Sequence, residues 1–334
     1  MTAIDYIFLL SSDRSGSNLA LRMIGSHPEM TAPPTSQLLP NLYKFVEAYG
    51  DLNVQENWEL LLQNTSELHK ASFGKWSAYA DLNALREHKP NRSINLLLRT
   101  IFEAEAKSKS VTQVAIKSHR AYRYGSDMQR DFPNARFVYL TRDPRDMALS
   151  WWKTPSLRGG VMRASGIWKE DQSGFLKLAK SLGGNCHLVK YEDILEHPEA
   201  TMKKLCQFLG LPYDPKMLGF HQQDETQKIS EYVQAWNNLS KPLMNQNLNK
   251  YRTGLTDEQY AYIEQNCQNE MAALGYTPDH DASAFDLEDL KRKLALEEPW
   301  NKPEYAMIDA REKESHKQLR DATQRFQMGV NQPE

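Results

Sequence analysis

The chain has 334 residues, enough for one large domain or two smaller ones, and its composition is that of a folded globular protein. Hydrophobic residues make up 40% of the chain and charged residues 25%, and the formal net charge is −2. This near-neutral balance gives no reason to expect a nucleic acid or an anionic membrane as a partner. The composition leaves the oligomeric state open.

The three cysteines are Cys186, Cys206 and Cys267, which are widely spaced and include no Cys-x-x-Cys pair. Their odd number and spacing predict reduced thiols rather than a disulfide framework or a zinc site. The N-terminus lacks a basic region followed by a long apolar run, and no later stretch is long enough to cross a bilayer. We therefore expect a cytoplasmic protein without a membrane anchor.

The first motif is a buried strand followed by a small-residue turn and a helix start. The unbroken apolar run from Tyr6 to Leu10 is typical of a strand covered on both faces of a parallel sheet. In the turn at residues 11–18, backbone N–H groups and a helix dipole would surround an anion, and Gly16 would let the backbone approach it closely. We interpret this turn as a phosphate-binding loop; on this stretch alone an ordinary capped β–α turn is the alternative.

The loop does not match the signature of a nucleoside-triphosphate P-loop, in which a second glycine is followed by Lys and Ser or Thr. If Gly16 occupies the second glycine position, Ser11 occupies the first and Ser17 occupies the lysine position. The positive charge instead precedes the glycine, at Arg14.

Residues 35–110 show helical patterns and no strand pattern. Helices are predicted at Leu38–Tyr49, Val54–Leu68 and Ser93–Ala106, with Ser93 as an N-cap. A helical insertion of this kind between strands would shape a substrate pocket.

Three further strands are predicted at Val111–Lys117, Arg136–Thr141 and Cys186–Tyr191, each separated from the next by helical sequence. Strands that alternate with helices predict a parallel α/β sheet. Ligands of such sheets bind at the carboxyl ends of the strands, which is where polar residues follow each predicted strand.

The last third of the chain is less regular. Residues 222–253 read as a polar loop, and Thr256 to Gln259 form a capping box that begins a helix ending near Leu274. Beyond residue 279 the chain is rich in charge, with helices predicted near 285–297 and 303–327. Few apolar residues occur there, so we expect a solvated or partner-packed helix. The predicted organisation is a main domain at 1–278, containing the 35–110 insertion, and a charged helical extension at 279–334.

Residues at the predicted strand ends form a cationic set with one histidine. Arg14, Lys117, His119 and Arg142 all fall there. Ser150 follows Arg142 by eight residues, a little over two helical turns, so both side chains can face one anion. Such a set suits a ligand with more than one phosphate-like group.

Four ordered segments resemble a known family. They are Arg14-Ser-Gly-Ser-Asn-Leu, Lys117-Ser-His, Arg142-Asp-Pro-Arg-Asp-Met-Ala-Leu-Ser and Tyr191-Glu-Asp. Their order and spacing over roughly residues 4–275 are similar to those of sulfotransferases that use 3′-phosphoadenosine 5′-phosphosulfate. The resemblance implies a P-loop-like, three-layer α/β/α fold with a central parallel sheet and helical insertions. It also implies that residues 1–278 are the sulfotransferase domain and that no metal is needed.

The resemblance also implies a role for each motif residue. His119 would be the general base, and Lys117 and Arg14 would neutralise the leaving group. The residues implied to bind the cofactor are Arg14, Ser15, Gly16, Ser17 and Asn18 at the 5′-phosphosulfate, Arg142 and Ser150 at the 3′-phosphate, Tyr191 near the adenine, and Arg252 at the 3′-phosphate. Two positions depart from the family pattern: Leu19 replaces a tryptophan, and Arg252-Thr-Gly replaces Arg-Lys-Gly.

The expected reaction is transfer of a sulfuryl group to a hydroxyl of a small-molecule acceptor, leaving adenosine 3′,5′-bisphosphate. An amine or guanidine nitrogen acceptor stays open, and a bacterial natural-product or carbohydrate tailoring role fits. One alternative is a nucleotide-dependent kinase that uses the same loop, with Asp143 and Asp146 as metal-binding carboxylates. The other alternative is a catalytically silent nucleotide-binding protein.

Overall fold

The centre of the molecule is a five-stranded parallel sheet. The computed structural model describes residues 4–89, 91–281 and 284–329. The strands are β1 Asp5–Ser11, β2 Met30–Thr31, β3 Gln113–His119, β4 Arg136–Thr141 and β5 Cys186–Lys190. Their spatial order is β2-β3-β1-β4-β5, and all neighbours are parallel. The four strands predicted from sequence are confirmed; β2 was not predicted, because two residues are too few to form a pattern.

Strand β1 lies in the middle of the sheet and contributes to the hydrophobic core on both of its faces. Phe8 and Leu10 point into one core, and Ile7 and Leu9 point into the other. Neighbouring side chains of a strand face opposite sides, so an unbroken apolar run is required where helices cover both faces. The predicted three-layer α/β/α architecture is therefore confirmed.

The helices also follow the sequence patterns for the most part. The predicted helices of residues 35–110 are present, and the Ser93 hydroxyl accepts a hydrogen bond from the Leu96 N–H at 3.1 Å as the predicted N-cap. The capping box of Thr256 and Gln259 is also present.

The fifteen α-helices of the described residues are α1 Ser17–Gly25, α2 Leu38–Phe45, α3 Gln55–Ala71, α4 Ile94–Ser108, α5 Gly125–Asp131, α6 Pro144–Trp152, α7 Val161–Leu182, α8 Tyr191–Glu196, α9 Pro198–Leu209, α10 Asp224–Ser230, α11 Tyr251–Gly254, α12 Asp257–Asn266, α13 Gln268–Leu274, α14 Leu287–Glu297 and α15 Ala310–Met328.

One prediction for the last third of the chain was wrong. Residues 222–253 are not simply a loop, because they contain α10 and the start of α11. The helices predicted near 285–297 and 303–327 are present as α14 and α15, and most residues of α15 are not buried. Its Phe326 is fully buried, and the Tyr49 hydroxyl donates to the Phe326 carbonyl oxygen at 2.9 Å. A few apolar side chains on one face are enough to dock a helix that is otherwise charged.

The register of the sheet brings the polar strand ends together. Ser11 at the end of β1 is paired with His119 of β3 on one side and with Leu140 of β4 on the other. The residues that follow these three strands therefore meet at one edge. Within the described ranges, no helix is both long enough and apolar enough to span a membrane.

Candidate active site

A cavity of about 740 Å³ lies at the carboxyl edge of the sheet. This volume is within the range of roughly 300–1,000 Å³ that is usual for small-molecule sites. Nine of the residues implicated by the sequence line it, namely Arg14, Gly16, Ser17, Asn18, Lys117, His119, Arg142, Ser150 and Tyr191. Ser15 is buried behind the loop surface, and Arg252 lies elsewhere.

The loop between β1 and α1 has an unusual backbone that its residues explain. Arg14 and Gly16 have positive φ angles of 63° and 83°, and α1 begins directly afterwards at Ser17. Successive turns of this kind, next to a helix N-terminus, form a concave surface of N–H groups that binds anions. A Cβ atom on Gly16 would lie 2.2 Å from Cδ2 of Tyr191, so glycine is required where the tyrosine ring covers the loop.

Two arginines and a serine converge beside this loop. The Arg142 guanidinium donates from Nη1 to the Arg14 carbonyl oxygen at 3.1 Å and stacks over the Tyr191 ring at 4.4 Å. The Arg14 side chain donates from Nε to Ser150 Oγ at 3.1 Å. The resemblance had implied that Arg14 would face the bridging oxygen of the phosphosulfate. Its side chain instead turns toward Ser150, in the corner where Arg142 also lies.

The electrostatics of this corner favour an anion. Burial lowers the pKa of the Arg14 guanidinium, and the neighbouring Arg142 charge lowers it further. The Nε of Arg142 and the hydroxyl of Ser15 are buried polar atoms without a hydrogen-bond partner among the described residues. Clustered positive charges and unpaired buried donors are both stabilised by a bound anion.

Lys117 reaches the same loop from the neighbouring strand. Its ammonium group donates to the side-chain oxygen of Asn18, and the residue is only 3% exposed. Burial is the main cause that lowers the Lys117 pKa to about 7. The Asp13 charge opposes this shift, and the Arg22 and Arg14 charges add to it. The Lys117 charge is therefore sensitive to what the cavity binds.

His119 and Asp13 form a pair on the cavity wall. Nε2 of His119 lies 3.6 Å from Oδ1 of Asp13, and 27% of the histidine side chain is exposed. Burial lowers the His119 pKa, and the Asp13 charge opposes that shift. Burial alone would raise the Asp13 pKa, but the charges of His119, Arg120, Lys117 and Arg14 outweigh it and lower the pKa. The histidine is therefore biased toward the neutral form, which can accept a proton.

Arg252 does not join this group. Its guanidinium pairs with Asp279 at 2.9 Å, and 55% of its side chain is exposed. Lys250, two residues earlier, lines the cavity instead and donates to Asn247 Oδ1 at 2.6 Å. The Asn247 carbonyl oxygen in turn accepts from Arg142 Nη2 at 3.1 Å. The structure thus brings Lys250, and not Arg252, to the corner that holds Arg142.

The two carboxylates that a kinase would use to bind a metal make structural contacts instead. They are Asp143 and Asp146. Asp143 caps α6 by accepting from the Arg145 N–H at 2.8 Å. Asp146 accepts from the backbone N–H groups of Asn249 at 2.8 Å and Tyr251 at 3.0 Å. Asp146 therefore fastens the 247–251 segment against α6, which keeps Lys250 at the cavity.

Three polar residues beside the anion-binding side chains, Asp13, Asn247 and Lys250, were not proposed from sequence as site residues. Asp13 lies inside the loop and could have been recognised from that position alone. Asn247 and Lys250 lie in a segment that reads as an ordinary polar loop, more than 100 residues from Arg142. Only their packing against α6 places them at the site.

Comparisons with known proteins agree with this geometry. Residues 6–215 match the sulfotransferase family. Protein-tyrosine sulfotransferase A of Caenorhabditis elegans is 22% identical over 228 residues, which cover 65% of this chain and 53% of that protein. Human carbohydrate sulfotransferase 6 is 26% identical over 187 residues, which cover 49% of this chain and 46% of that protein. The chain thus spans about half the length of these relatives.

A solved structure shows the same fold. The sulfotransferase domain from the curacin biosynthetic pathway aligns with a TM-score of 0.57 and 22% identity, covering 83% of this chain and 99% of that domain. The family match covers well over half of the chain and includes the loop, Lys117, His119, Arg142, Ser150 and Tyr191. The chain therefore belongs to the sulfotransferase family.

Proposed function

We propose that this protein transfers a sulfuryl group from 3′-phosphoadenosine 5′-phosphosulfate to a hydroxyl group of a small-molecule acceptor. The observation that carries the proposal is the convergence of Arg14, Lys117, His119, Arg142 and Ser150 on one cavity at the carboxyl edge of the sheet. These residues come from three separate segments of the chain, so their meeting is a property of the fold rather than of one motif.

The residues of the cavity fit a nucleotide with two separate anionic groups. One region is the 11–18 loop with Lys117, and the other is the corner formed by Arg142, Ser150 and Arg14. The Nε of Arg142, which has no hydrogen-bond partner in the part of the chain that the structure describes, belongs to the second region. Lys250 adds a cation to the second region, and we assign to it the 3′-phosphate contact that the resemblance had given to Arg252.

The donor supplies a sulfuryl group joined to a phosphate that leaves as an anion. Sulfuryl transfer resembles phosphoryl transfer, in which catalysis depends chiefly on positioning and on charges placed where negative charge develops. Lys117 and the N–H groups of the loop would provide that stabilisation, while the Arg14 side chain lies in the second region. Because the Lys117 pKa is near 7, an approaching negative charge would favour its ammonium form.

His119 would accept the proton of the acceptor hydroxyl. Its neutral form is favoured by burial, and it faces the same cavity as the loop. Asp13, 3.6 Å from Nε2, would stabilise the imidazolium that forms when the proton arrives. Asp13 is the poorer base of the two, because the charges around it lower its pKa.

A calorimetric titration tests the nucleotide assignment directly. We expect adenosine 3′,5′-bisphosphate to bind without Mg²⁺ and ATP with Mg²⁺ to bind far more weakly. Tighter binding of ATP with Mg²⁺ would favour a kinase instead. Mass spectrometry of a cell extract incubated with the enzyme and isotopically labelled donor then tests turnover. Absence of any labelled product, despite nucleotide binding, would favour a silent nucleotide-binding protein.

A further inference from the structure

Part of the cavity wall comes from the charged C-terminal segment, which lies outside the residues matched to the family. Ile308, Glu312, His316 and Leu319 line the cavity together with Phe73 and Trp236. Three of the four C-terminal residues lie in the first half of α15, spaced so that they share one face of that helix.

The C-terminal segment is held in place at three points. The Glu298 carboxylate accepts from the backbone N–H groups of Val161 at 2.8 Å and Met162 at 3.1 Å, at the start of α7. Lys302 donates to the Trp151 and Thr154 carbonyl oxygens at 2.8 and 2.9 Å, at the end of α6. At its other end α15 buries Phe326. Because α6 also carries Ser150, the C-terminal segment is attached to the element that forms the nucleotide corner.

Glu312 is a buried carboxylate on this wall, with 8% of its side chain exposed. Its Oε2 accepts from the Gln234 N–H at 2.8 Å, and it lies in the first turn of α15, where the helix dipole favours a negative charge. Among the described residues, the one potential cation within ion-pair distance is His316, at 3.7 Å. Burial lowers the His316 pKa, as does the Arg320 charge, although Glu312 opposes them.

The rings of Phe73, Trp236 and His316 line the same cavity as this carboxylate. The rings of Phe73 and His316 are 5.0 Å apart, and those of Phe73 and Trp236 are 6.5 Å apart. Aromatic faces attract cations, most strongly where water is excluded. A buried carboxylate without a permanently charged partner is likewise stabilised by a cation that a ligand brings. An anionic ligand group would meet repulsion at the same place.

We propose that the first half of α15 is the acceptor-binding wall of the cavity, and that Glu312 selects acceptors that carry a protonated amine on an aromatic or apolar body. This inference rests on the proposed function, because it treats the cavity that binds the nucleotide as the one that also binds the acceptor. It makes Glu312 a specificity-determining residue without assigning it a part in the sulfuryl transfer.

Binding of three matched phenols to the full chain tests the inference without requiring turnover. Tyramine, para-ethylphenol and para-hydroxyphenylpropionate have similar bodies and end in a cation, a neutral group and an anion. Each is titrated into enzyme saturated with adenosine 3′,5′-bisphosphate. We expect tyramine to bind about tenfold more tightly than para-ethylphenol, the size of effect that a partly desolvated ion pair and an aromatic face produce. The propionate is expected to bind most weakly.

Matched variants separate Glu312 from the rest of the helix. Glu312→Gln keeps an oxygen for the Gln234 N–H and should reduce the preference for tyramine to about twofold or less. Glu314→Gln changes an exposed carboxylate two residues along, which accepts from Gln318, and should retain the full preference. If Glu312→Gln does not fold, Phe73→Leu gives a second measurement, in which the ratio of the tyramine and para-ethylphenol affinities should fall about two- to fivefold.

The outcomes distinguish this inference from the proposed function. Failure of adenosine 3′,5′-bisphosphate to bind the wild-type chain contradicts the proposed function. Nucleotide binding without a preference for tyramine, or with no phenol bound, overturns the inference alone. The inference is also overturned if Glu312→Gln keeps the preference for tyramine. It is likewise overturned if the ratio of the tyramine and para-ethylphenol affinities in Phe73→Leu equals that of the wild-type chain.

Discussion

Arg14 Nε donates a hydrogen bond to Ser150 Oγ at 3.1 Å across 136 positions of sequence. Arg142 reaches the same corner by donating to the Arg14 carbonyl oxygen. Two guanidinium groups and a hydroxyl that share one corner suit a phosphate dianion, because each group can donate and guanidinium groups stay charged. This relationship underlies the first two predictions.

Replacing Ser150 with alanine is expected to weaken binding of adenosine 3′,5′-bisphosphate. A hydrogen bond to a charged group contributes about 1.5–3 kcal/mol, which corresponds to roughly a 10- to 100-fold loss of affinity. Isothermal titration calorimetry measures the affinity of each variant for the nucleotide. Ser181→Ala, which removes a hydroxyl bonded only to its own helix, serves as the control and should bind normally. Equal affinities of the Ser150 and Ser181 variants would exclude Ser150 from the phosphate site.

Lys250 and Arg252 give a matched pair of basic side chains two residues apart. Lys250→Ala should weaken nucleotide binding and reduce its salt dependence, because Lys250 lines the cavity beside Asn247. Arg252→Ala should leave affinity unchanged, since Arg252 pairs with Asp279 outside the cavity. Titrations at low and high salt provide the measurement. The reverse result, with Arg252 as the sensitive position, would restore the role that the resemblance implied.

His119→Ala is expected to lower kcat by about 10²–10⁴-fold, the usual cost of losing a general base, while nucleotide affinity is retained. Because burial lowers the His119 pKa, the base form is present at neutral pH. The wild-type rate should therefore fall only as acid protonates the ring. His187→Ala on β5 is a control with no expected effect. Unchanged turnover in His119→Ala would remove His119 from the mechanism.

The lowered pKa of Lys117 predicts that a proton is taken up when the nucleotide binds. With a pKa of about 7 in place of 10.5, the side chain is mostly neutral near pH 8 in the free enzyme. A bound anion favours the charged form and raises the pKa, so binding takes up as much as one proton per site. The binding enthalpy should then vary with the ionisation enthalpy of the buffer.

Lys117→Met should abolish that dependence on the buffer, whereas Lys216→Met, at an exposed position, should preserve it. Release of a proton on binding, or no change in protonation, would show that Lys117 does not respond to the nucleotide.

Gly16→Ala tests the fit of Tyr191 over the loop. The new Cβ would lie 2.2 Å from the tyrosine ring in a backbone with φ of 83°. Gly275→Ala is the matched control, because Gly275 is also in the left-handed region, with φ of 69° and ψ of 36°, and an added methyl group there meets the flexible end of Lys190 at 3.4 Å. We expect Gly275→Ala to lower the free energy of unfolding by about 1–2 kcal/mol from backbone strain alone.

Gly16→Ala should lower the free energy of unfolding by roughly 1–3 kcal/mol more than the control variant does, because the clash adds to the same backbone strain. Chemical denaturation measures both variants, and the nucleotide titration shows whether the distorted loop still binds. Equal stabilities would mean that the tyrosine ring moves aside without cost.

Several features of this protein follow from short-range patterns that a single sequence contains. The apolar run at Tyr6–Leu10 determines a strand buried on both faces, and Ser93 determines a helix start. Polar residues after Leu10, Lys117 and Thr141 determine that one edge of the sheet is cationic. These inferences succeed because strand periodicity, caps and turns depend on neighbouring residues.

The tertiary structure alone decided which side chains share the cavity. Arg252 pairs with Asp279 while Lys250 lines the cavity, although both lie in the same short segment. Glu312 lines the cavity because Lys302 and Phe326 fasten the C-terminal segment to distant helices. The direction of a side chain depends on what packs around it, and those contacts join residues more than 100 positions apart, beyond the reach of any local pattern.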